Sequence, residues 1–466
     1  MAKGKLTVGM GFLLIFSVLM VFYLKTLLPT VGFWDTGELQ TITSTFDIGH
    51  PTGYPTYIVL GKIWLTIFPF GSVAWRMNLF SAVCLSLACG FLFLLIKKIT
   101  KDSTVSLLAG LVFGLGKPIW DIAVRAEVHS LHLLLTTMVI FLFYKIIVEK
   151  QAELLSVISL LIGLSIGNHM LSIFFLPLLG LTVLLQIKSL NIKLLINSLL
   201  LFLLGLSVYL LLPILSLVKE PLVINYKIDN LTNFYRHVFG SDFSGFMHAW
   251  TKNSFKETML YYYSSLGTFL PSVFLIPVAI GFFWGLKKLS QFTILTLILF
   301  LSTLYFSLHY QNAILERYFI SSFLIIIIWG FSSFSFINKT IGRPSFLILF
   351  LLIFMLFGEI KTNYPLVDQS QNYQALTYAE NTLRIVPKDS VIFSWWSYST
   401  PLWYLTKVEK IRNDVTIIND GPEKWLELAK KFNGIRPVYF IEKIPLQDQD
   451  YDLESAKTIF RLKKKN

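Results

Sequence analysis

The sequence predicts a mainly α-helical protein that crosses a membrane many times and ends in a small α/β domain. Of its 466 residues, 55% are hydrophobic and 15% aromatic, and only 14% are charged. Soluble proteins carry about 25% charged residues. The composition, the recurring apolar runs and a drop in hydrophobicity after residue 360 therefore exclude an ordinary soluble fold and favour a polytopic membrane protein with a soluble tail.

Apolar runs that could span a bilayer recur through the first 360 residues. A transmembrane helix needs about 20 apolar residues, with a usual range of roughly 17 to 25. The sequence offers about eleven candidates near that length, and we expect the first to be an uncleaved span. They are residues 8–28, 79–96, 105–120, 131–148, 154–166, 170–187, 194–218, 269–286, 292–308, 319–336 and 346–360.

The basic residues predict how these spans are oriented. The net charge is +13, from 40 Lys and Arg against 27 Asp and Glu. Short basic loops mark the cytoplasmic side of a membrane protein, so we predict a plasma-membrane protein with a cytoplasmic N-terminus and no nucleic-acid partner. Basic inside loops and outside loops alternate along the whole transmembrane part only if residues 167–169 form an external turn. The inside loops carry Lys97, Lys98 and Lys101; Lys145 and Lys150; Lys188 and Lys193; Lys287 and Lys288; and Lys339 and Arg343.

This topology divides the chain into a transmembrane domain, residues 1–360, and a soluble extracytoplasmic α/β domain, residues 361–466. Two long external loops interrupt the first domain at 29–76 and 219–266. In the tail, strand-like segments 390–394, 415–420 and 437–441 alternate with helix-like segments 403–408 and 426–432. Such alternation is typical of a parallel sheet.

The first external loop carries the strongest candidates for chemistry. Asp35 and Glu38 are three residues apart, so they share one face of a helical turn, and His50 and Tyr54 follow in a Gly- and Pro-rich stretch. A positioned carboxylate can accept the proton of an attacking hydroxyl. The alternative, that these carboxylates are only solvated ends of a helix, remains open.

A second group of polar residues is predicted on the same side of the membrane. Arg125 is a candidate partner for a lipid phosphate, because guanidinium binds phosphate through paired donors. Local pairing of charges at a helix start, and a purely structural role for the histidines, remain alternatives. The other members of the group are Glu127, His129, Asn168 and His169, with Arg236 and Arg317 as further phosphate-binding candidates.

Several functions lack a signature. The sequence has no nucleotide-binding glycine motif and no His and Cys residues at zinc-ligand spacing, and we expect no metal and no cofactor. Cys84 and Cys89 lie within one apolar run and are expected to pack as small residues. The spans contain almost no charged residues, which disfavours ion-coupled transport.

An ordered set of motifs resembles a known family. It comprises Asp35-Thr36-Gly37-Glu38, His50-Pro51-Thr52-Gly53-Tyr54-Pro55, Trp75-Arg76-Met77-Asn78, Ala126-Glu127-Val128-His129 and Gly167-Asn168-His169. These motifs resemble the domain of unknown function 2723 family, which includes the transmembrane protein 260 type of protein O-mannosyltransferase. The chain departs from bacterial relatives at residues 396–400, where Trp-Ser-Tyr-Ser-Thr replaces an acidic stretch.

The resemblance implies a GT-C-like glycosyltransferase that takes a sugar, with mannose as the candidate, from a polyprenyl-phosphate carrier. It implies that Asp35 is the general base, with Glu38 as the second carboxylate. The acceptor would be a protein hydroxyl or a glycan, and membrane lipids surround the enzyme. A transporter or flippase of lipid-linked sugars, and a non-catalytic scaffold, remain alternatives. The substrate-binding candidates are His50, Tyr54, Arg76, Arg125, Glu127, His129, Asn168, His169, Arg236 and Arg317.

Overall fold

The structure, a computed structural model, describes residues 7–245, 252–310, 315–340, 346–446 and 450–465. Arg343, one of the predicted cytoplasmic basic residues, lies outside these ranges. All of the predicted site residues lie within them.

Helices dominate the first part of the chain, as the apolar runs predict. In chain order they are α1 Val8–Thr26, α2 Trp34–Thr45, α3 Pro55–Ile67, α4 Val73–Thr100, α5 Ser103–Leu115, α6 Lys117–Ala123, α7 Val128–Ile147, α8 Leu155–Asn168, α9 Phe175–Gln186, α10 Ile192–Leu206, α11 Leu211–Val218, α12 Leu231–Val238, α13 Lys252–Phe269, α14 Leu275–Lys288, α15 Ser290–His309, α16 Glu316–Ser332, α17 Phe334–Thr340 and α18 Phe346–Val367.

The eleven or so predicted spans all fall on helices, although fewer than eleven are unbroken spans. Within the described residues, seven helices are long and apolar enough to cross a membrane, or nine if each of two bent pairs counts as one span. The bent pairs are Ser103–Leu115 with Lys117–Ala123, at 69°, and Phe255–Phe269 with Ser272–Lys288, at 93°. The shorter helix Ala152–Asn168 covers predicted span 154–166, and α18 covers and extends the last one.

Burial separates the centre of the bundle from its periphery. Glu316–Ile337 is 89% buried over its most apolar window, whereas Val8–Thr26 is only 22% buried. Both helices are apolar around most of their surface, which is typical of a helix in a protein core or in a membrane. The first is therefore a core helix, and the second presents its surface to lipid.

The tail forms a five-stranded sheet in the order β2-β1-β3-β5-β4. Its elements are α19 Gln374–Ile385, β1 Val391–Ser394, α20 Trp396–Trp403 with a π-helical extension at Tyr404–Val408, β2 Thr416–Asn419, α21 Pro422–Lys430, β3 Val438–Phe440, β4 Tyr451–Ala456 and β5 Ile459–Lys464. The three predicted strands are confirmed, and they pair in parallel. The antiparallel β4–β5 hairpin was not predicted.

The tail shares its hydrophobic core with residues 29–76, the first of the predicted external loops. Val31 and Ala74 pack in one cluster with Leu402 and Leu405. The backbone N–H of Ala74 also donates to the hydroxyl of Tyr404 at 3.0 Å. The sheet part is therefore held against α2 and the start of α4.

Candidate active site

Helix α2 places the two predicted carboxylates at its first turn. Trp34, its first residue, has a left-handed φ of 55°, a conformation that costs a non-glycine residue about 1–2 kcal/mol and that clusters at functional sites. Asp35 lies in the first turn, where the partial positive charge of the helix N-terminus favours a carboxylate. Glu38 follows on the same face.

Asp35 is held by one oxygen only. Its Oδ2 accepts a hydrogen bond from Arg317 at 3.0 Å, whereas its Oδ1 is buried without a hydrogen-bond partner among the described residues. The side chain is 25% exposed. Buried polar atoms are nearly always paired, so the free oxygen marks a place where a substrate group can bind.

Arg317 links Asp35 to a second carboxylate. The same guanidinium nitrogen lies 2.8 Å from Oε2 of Glu127, whose side chain is fully buried. Burial by itself would raise the pKa of Glu127, but Arg317 and then His129 hold it below the usual value. Within the part of the chain that the structure describes, the Nε of Arg317 has no partner, so the guanidinium retains a donor for an anionic ligand.

Three predicted residues from the two other polar motifs meet beside Glu127. His129 Nδ1 is 3.0 Å from Glu127 Oε1, and the His129 and His169 rings lie 4.7 Å apart. Nε2 of His129 and Oδ1 of Asn168 are buried, and neither has a partner in the described ranges. The break at His169 and the chain entering α7 therefore bring further unpaired polar atoms to the Asp35–Arg317 pair.

Glu38, in contrast, has both oxygens occupied. Its Oε1 accepts from the His50 backbone N–H at 2.8 Å and lies 2.9 Å from His50 Nδ1. Its Oε2 accepts from the indole N–H of Trp396 at 2.6 Å. On the far side of the ring, the Tyr54 hydroxyl is 2.8 Å from His50 Nε2.

The two carboxyls differ in their affinity for a proton. Burial raises the pKa of Asp35 above its usual value, although His50 and Arg317 oppose the shift. Burial would also raise the pKa of Glu38, but contact with His50 and Trp396 brings it below the usual value. A raised pKa improves a carboxylate as a proton acceptor. The opposite directions of the two pKa shifts therefore favour Asp35 over Glu38 as a base.

The structure does not bring every candidate to this cluster. Arg125 pairs with Asp121 on the adjacent turn, although its charge still contributes to lowering the pKa of Glu127. Arg76 donates to the backbone carbonyls of Leu65 and Phe68 at 2.9 and 3.0 Å, and in this position it fixes the end of α3.

Arg236 lies on α12, away from Arg317. It pairs with Asp242 at 2.7 Å and lies over the Tyr226 ring at 4.3 Å. Its neighbour His237 packs on the turn after His50, since a Cβ at Gly53 would be 2.9 Å from His237 Nε2. Arg236 thus borders the site through this turn.

Sequence reasoning missed three residues that build the site. Trp396 carries no local signal, because it joins Glu38 from 358 residues away. Asn78 lies in a family motif and is a hub: its Oδ1 accepts from Gln40 and from the Ala126 N–H, both at 2.8 Å. Tyr318 follows Arg317 and packs on His129 at 5.5 Å.

No metal-ligand arrangement occurs among the described residues, since no three His, Cys, Asp or Glu side chains are grouped to hold an ion. The absence of a metal and of a cofactor stays a prediction.

Comparison with known proteins identifies the architecture. ArnT from Cupriavidus metallidurans bound to undecaprenyl phosphate superposes with a TM-score of 0.60 at 10% identity, over 97% of each chain. The apo form of the same protein gives 0.55 at 11% identity over 93% of each chain. This chain shares its fold with ArnT. The ArnT fold confirms the predicted GT-C-like class of multi-pass membrane protein.

Sequence comparison points to another set of proteins. The model of the protein O-mannosyl-transferase TMEM260 N-terminal domain matches residues 35–193, which contain Asp35, Glu127 and His169. The protein O-mannosyl-transferase tmem260 of Dictyostelium discoideum is 26% identical over 88% of this chain and 57% of its own length. TMEM260 of Mus musculus is 24% identical over 88% of this chain and 62% of its own. The chain thus spans about six-tenths of these curated relatives.

Proposed function

We propose that the chain is a membrane glycosyltransferase of the transmembrane protein 260 type, within the domain of unknown function 2723 family. It moves a sugar, mannose by analogy with these relatives, from a polyprenyl-phosphate carrier to a hydroxyl acceptor. The observation that carries the proposal is Asp35, fixed by Arg317 through one oxygen and open at the other. Attack by a hydroxyl on a phosphate-linked sugar requires two groups: a positioned base, and next to it a guanidinium with an N–H donor available for the phosphate.

The reaction is an inverting displacement. The acceptor oxygen forms a bond to the anomeric carbon while the bond from that carbon to the phosphate oxygen breaks, and the phosphate leaves with the electron pair. Asp35 Oδ1 takes the acceptor proton. Arg317 stabilises the charge on the leaving phosphate, so positioning and electrostatics supply the catalysis.

The sugar and carrier bind next to Glu127, where polar atoms without a partner among the described residues gather. Oδ1 of Asn168 and Nε2 of His129 are free to contact sugar hydroxyls. Carriage by a polyprenyl phosphate is supported by the likeness to ArnT, which binds undecaprenyl phosphate. A protein acceptor is supported by the names of the curated relatives, and an external site with a cytoplasmic N-terminus is supported by the basic loops.

Transfer of radiolabelled mannose from a polyprenyl phospho-mannose by the purified full chain tests the proposal. Asp35→Asn should lower turnover by at least about 100-fold, the lower range for loss of a general base, with little change in donor affinity. Asp47→Asn is the matched control, because Asp47 lies in the same segment but pairs with Lys219 at 3.1 Å. Near-normal turnover by Asp35→Asn would remove Asp35 from the mechanism. Movement of the lipid-linked sugar across the bilayer without product would support the transporter hypothesis instead.

A further inference from the structure

The tail approaches the site through one helix. Helix α20 lies directly on α2, and the contact depends on Gly37. A Cβ at this position would be 2.8 Å from the Thr400 hydroxyl oxygen and 2.3 Å from the carbonyl oxygen of Gly32. Only a glycine permits this approach, so the tail and the first turn of α2 are fitted to each other.

At the N-terminal end of that contact, Trp396 reaches the proposed site. Its indole N–H donates to Oε2 of Glu38 at 2.6 Å, and its ring lies 5.0 Å from the ring of His50. Because the Glu38 side chain is fully buried, water is no substitute for this donor. Trp34, adjacent to Asp35, also contacts the Trp396 ring edge-on at 5.7 Å.

We propose that Trp396 is a positioning residue of the transfer site: its indole N–H holds Glu38 against His50, so that the C-terminal part of the chain completes the first turn of α2. The inference rests on the proposed function. It assigns Glu38 a structural task and leaves proton transfer to Asp35.

Both oxygens of Glu38 are saturated with hydrogen bonds. Glu38 receives two donors from His50 and one from Trp396, and a buried carboxylate that loses a donor rearranges to find another. Since Asp35 is on the same helical turn, a shift of Glu38 moves the base relative to Arg317. The ionised Glu38 also keeps His50 protonated: burial would lower the pKa of His50, but Glu38 raises it to about 9.

Other titratable groups face His50 as well. They are Asp35 and Glu38 on α2, Tyr54 before α3, Glu127 before α7, His169 at the break after α8, and His237 on α12. Of these, Glu38 is in direct contact with the Nδ1 side of the ring and Tyr54 with the Nε2 side. A change at Trp396 therefore acts on His50 through Glu38.

The test compares Trp396→Phe with Trp395→Phe in the full chain. Phenylalanine keeps an aromatic ring and removes the N–H. Trp395 is the matched control, because it is the neighbouring half-buried tryptophan and its ring contacts Trp34 and Tyr398 at 5.8 and 5.0 Å. We expect Trp396→Phe to lower kcat about 10- to 100-fold, the range for one hydrogen bond to a charged group, with donor KM nearly unchanged and Trp395→Phe close to wild type.

Two pH-dependent readouts separate positioning from a general loss of structure. The alkaline limb of the transfer profile should move to lower pH in Trp396→Phe. The titration of the His50 ring, followed by NMR with His-labelled protein and assigned with His50→Gln, should move the same way. A fall in kcat with an unmoved His50 titration, or an unchanged kcat, would overturn the proposal.

Failure of the proposed function gives a different pattern. If wild-type protein transfers sugar from no polyprenyl phosphate donor, the transfer hypothesis fails. The His50 titration then decides by itself whether Trp396 holds Glu38 against His50. An unmoved titration in that case would also reject the positioning role.

Discussion

Replacing Arg317 with methionine should both destabilise the protein and abolish transfer, because one guanidinium serves two carboxylates. Removing one partner of a buried ion pair costs about 3–5 kcal/mol. Glu127 bears most of this cost, since its side chain is fully buried, whereas Asp35 is 25% exposed and partly screened by water. His129 remains beside Glu127 at 3.0 Å, so we expect the lower end, about 3 kcal/mol.

A second substitution isolates the electrostatic cause. Glu127→Gln in the Arg317→Met background removes the stranded charge while keeping an oxygen near His129. We expect this double variant to regain about 1–2 kcal/mol relative to Arg317→Met, a coupling typical of contacting residues. Unfolding in detergent at pH 7 measures the difference.

Transfer and a surface control complete the experiment. The double variant should stay inactive, because the donor for the leaving phosphate is absent. Arg236→Met should cost less than about 1 kcal/mol, as its ion pair with Asp242 has side chains 46% and 34% exposed. If the double variant is as unstable as Arg317→Met, a buried unpaired charge is not the cause of the loss.

Three further outcomes follow from the same contacts. The stabilisation from the Glu38–His50 pair should be fully present below about pH 6.5 and decline as pH rises through about 9, the raised pKa of His50. The unfolding midpoint of His50→Gln should therefore fall less between neutral and alkaline pH than that of the wild type. An equal fall in the two proteins would contradict the assignment. Gly37→Ala should lower the free energy of unfolding by about 1–3 kcal/mol through overpacking and reduce transfer. Gly9→Ala, at a position where no described atom lies within 4 Å, should change neither. Equal melting temperatures of the two variants would reject the close fit of α2 and α20. Asn78→Ala should lower the free energy of unfolding by about 2 kcal/mol or more, because it leaves buried donors without an acceptor. The unfolding midpoint measures this loss, and an unchanged midpoint would show that the Asn78 hydrogen bonds do not stabilise the fold.

Local patterns predicted the elements well. Apolar runs gave helices because a segment in lipid must satisfy its own backbone hydrogen bonds, and the alternation in the tail gave the parallel strands. The β4–β5 hairpin was missed, although Tyr451 and Leu453 of its first strand alternate with Asp452 and Glu454 and pack against the core of the sheet. The bends after Leu115 and Phe269 were also missed, because the hydropathy of a segment indicates an apolar environment but not the direction of the helix axis.

The sequence by itself determined the membrane class, the helices and the suspicion that Asp35 and Glu38 carry chemistry, because these depend on residues within a few turns of each other. Only the tertiary structure decided which carboxylate is open and which is saturated. Arg317 reaches Asp35 across 282 residues and Trp396 reaches Glu38 across 358. Packing in three dimensions determines these contacts, and the pattern of residues along the chain does not show which distant residues will meet.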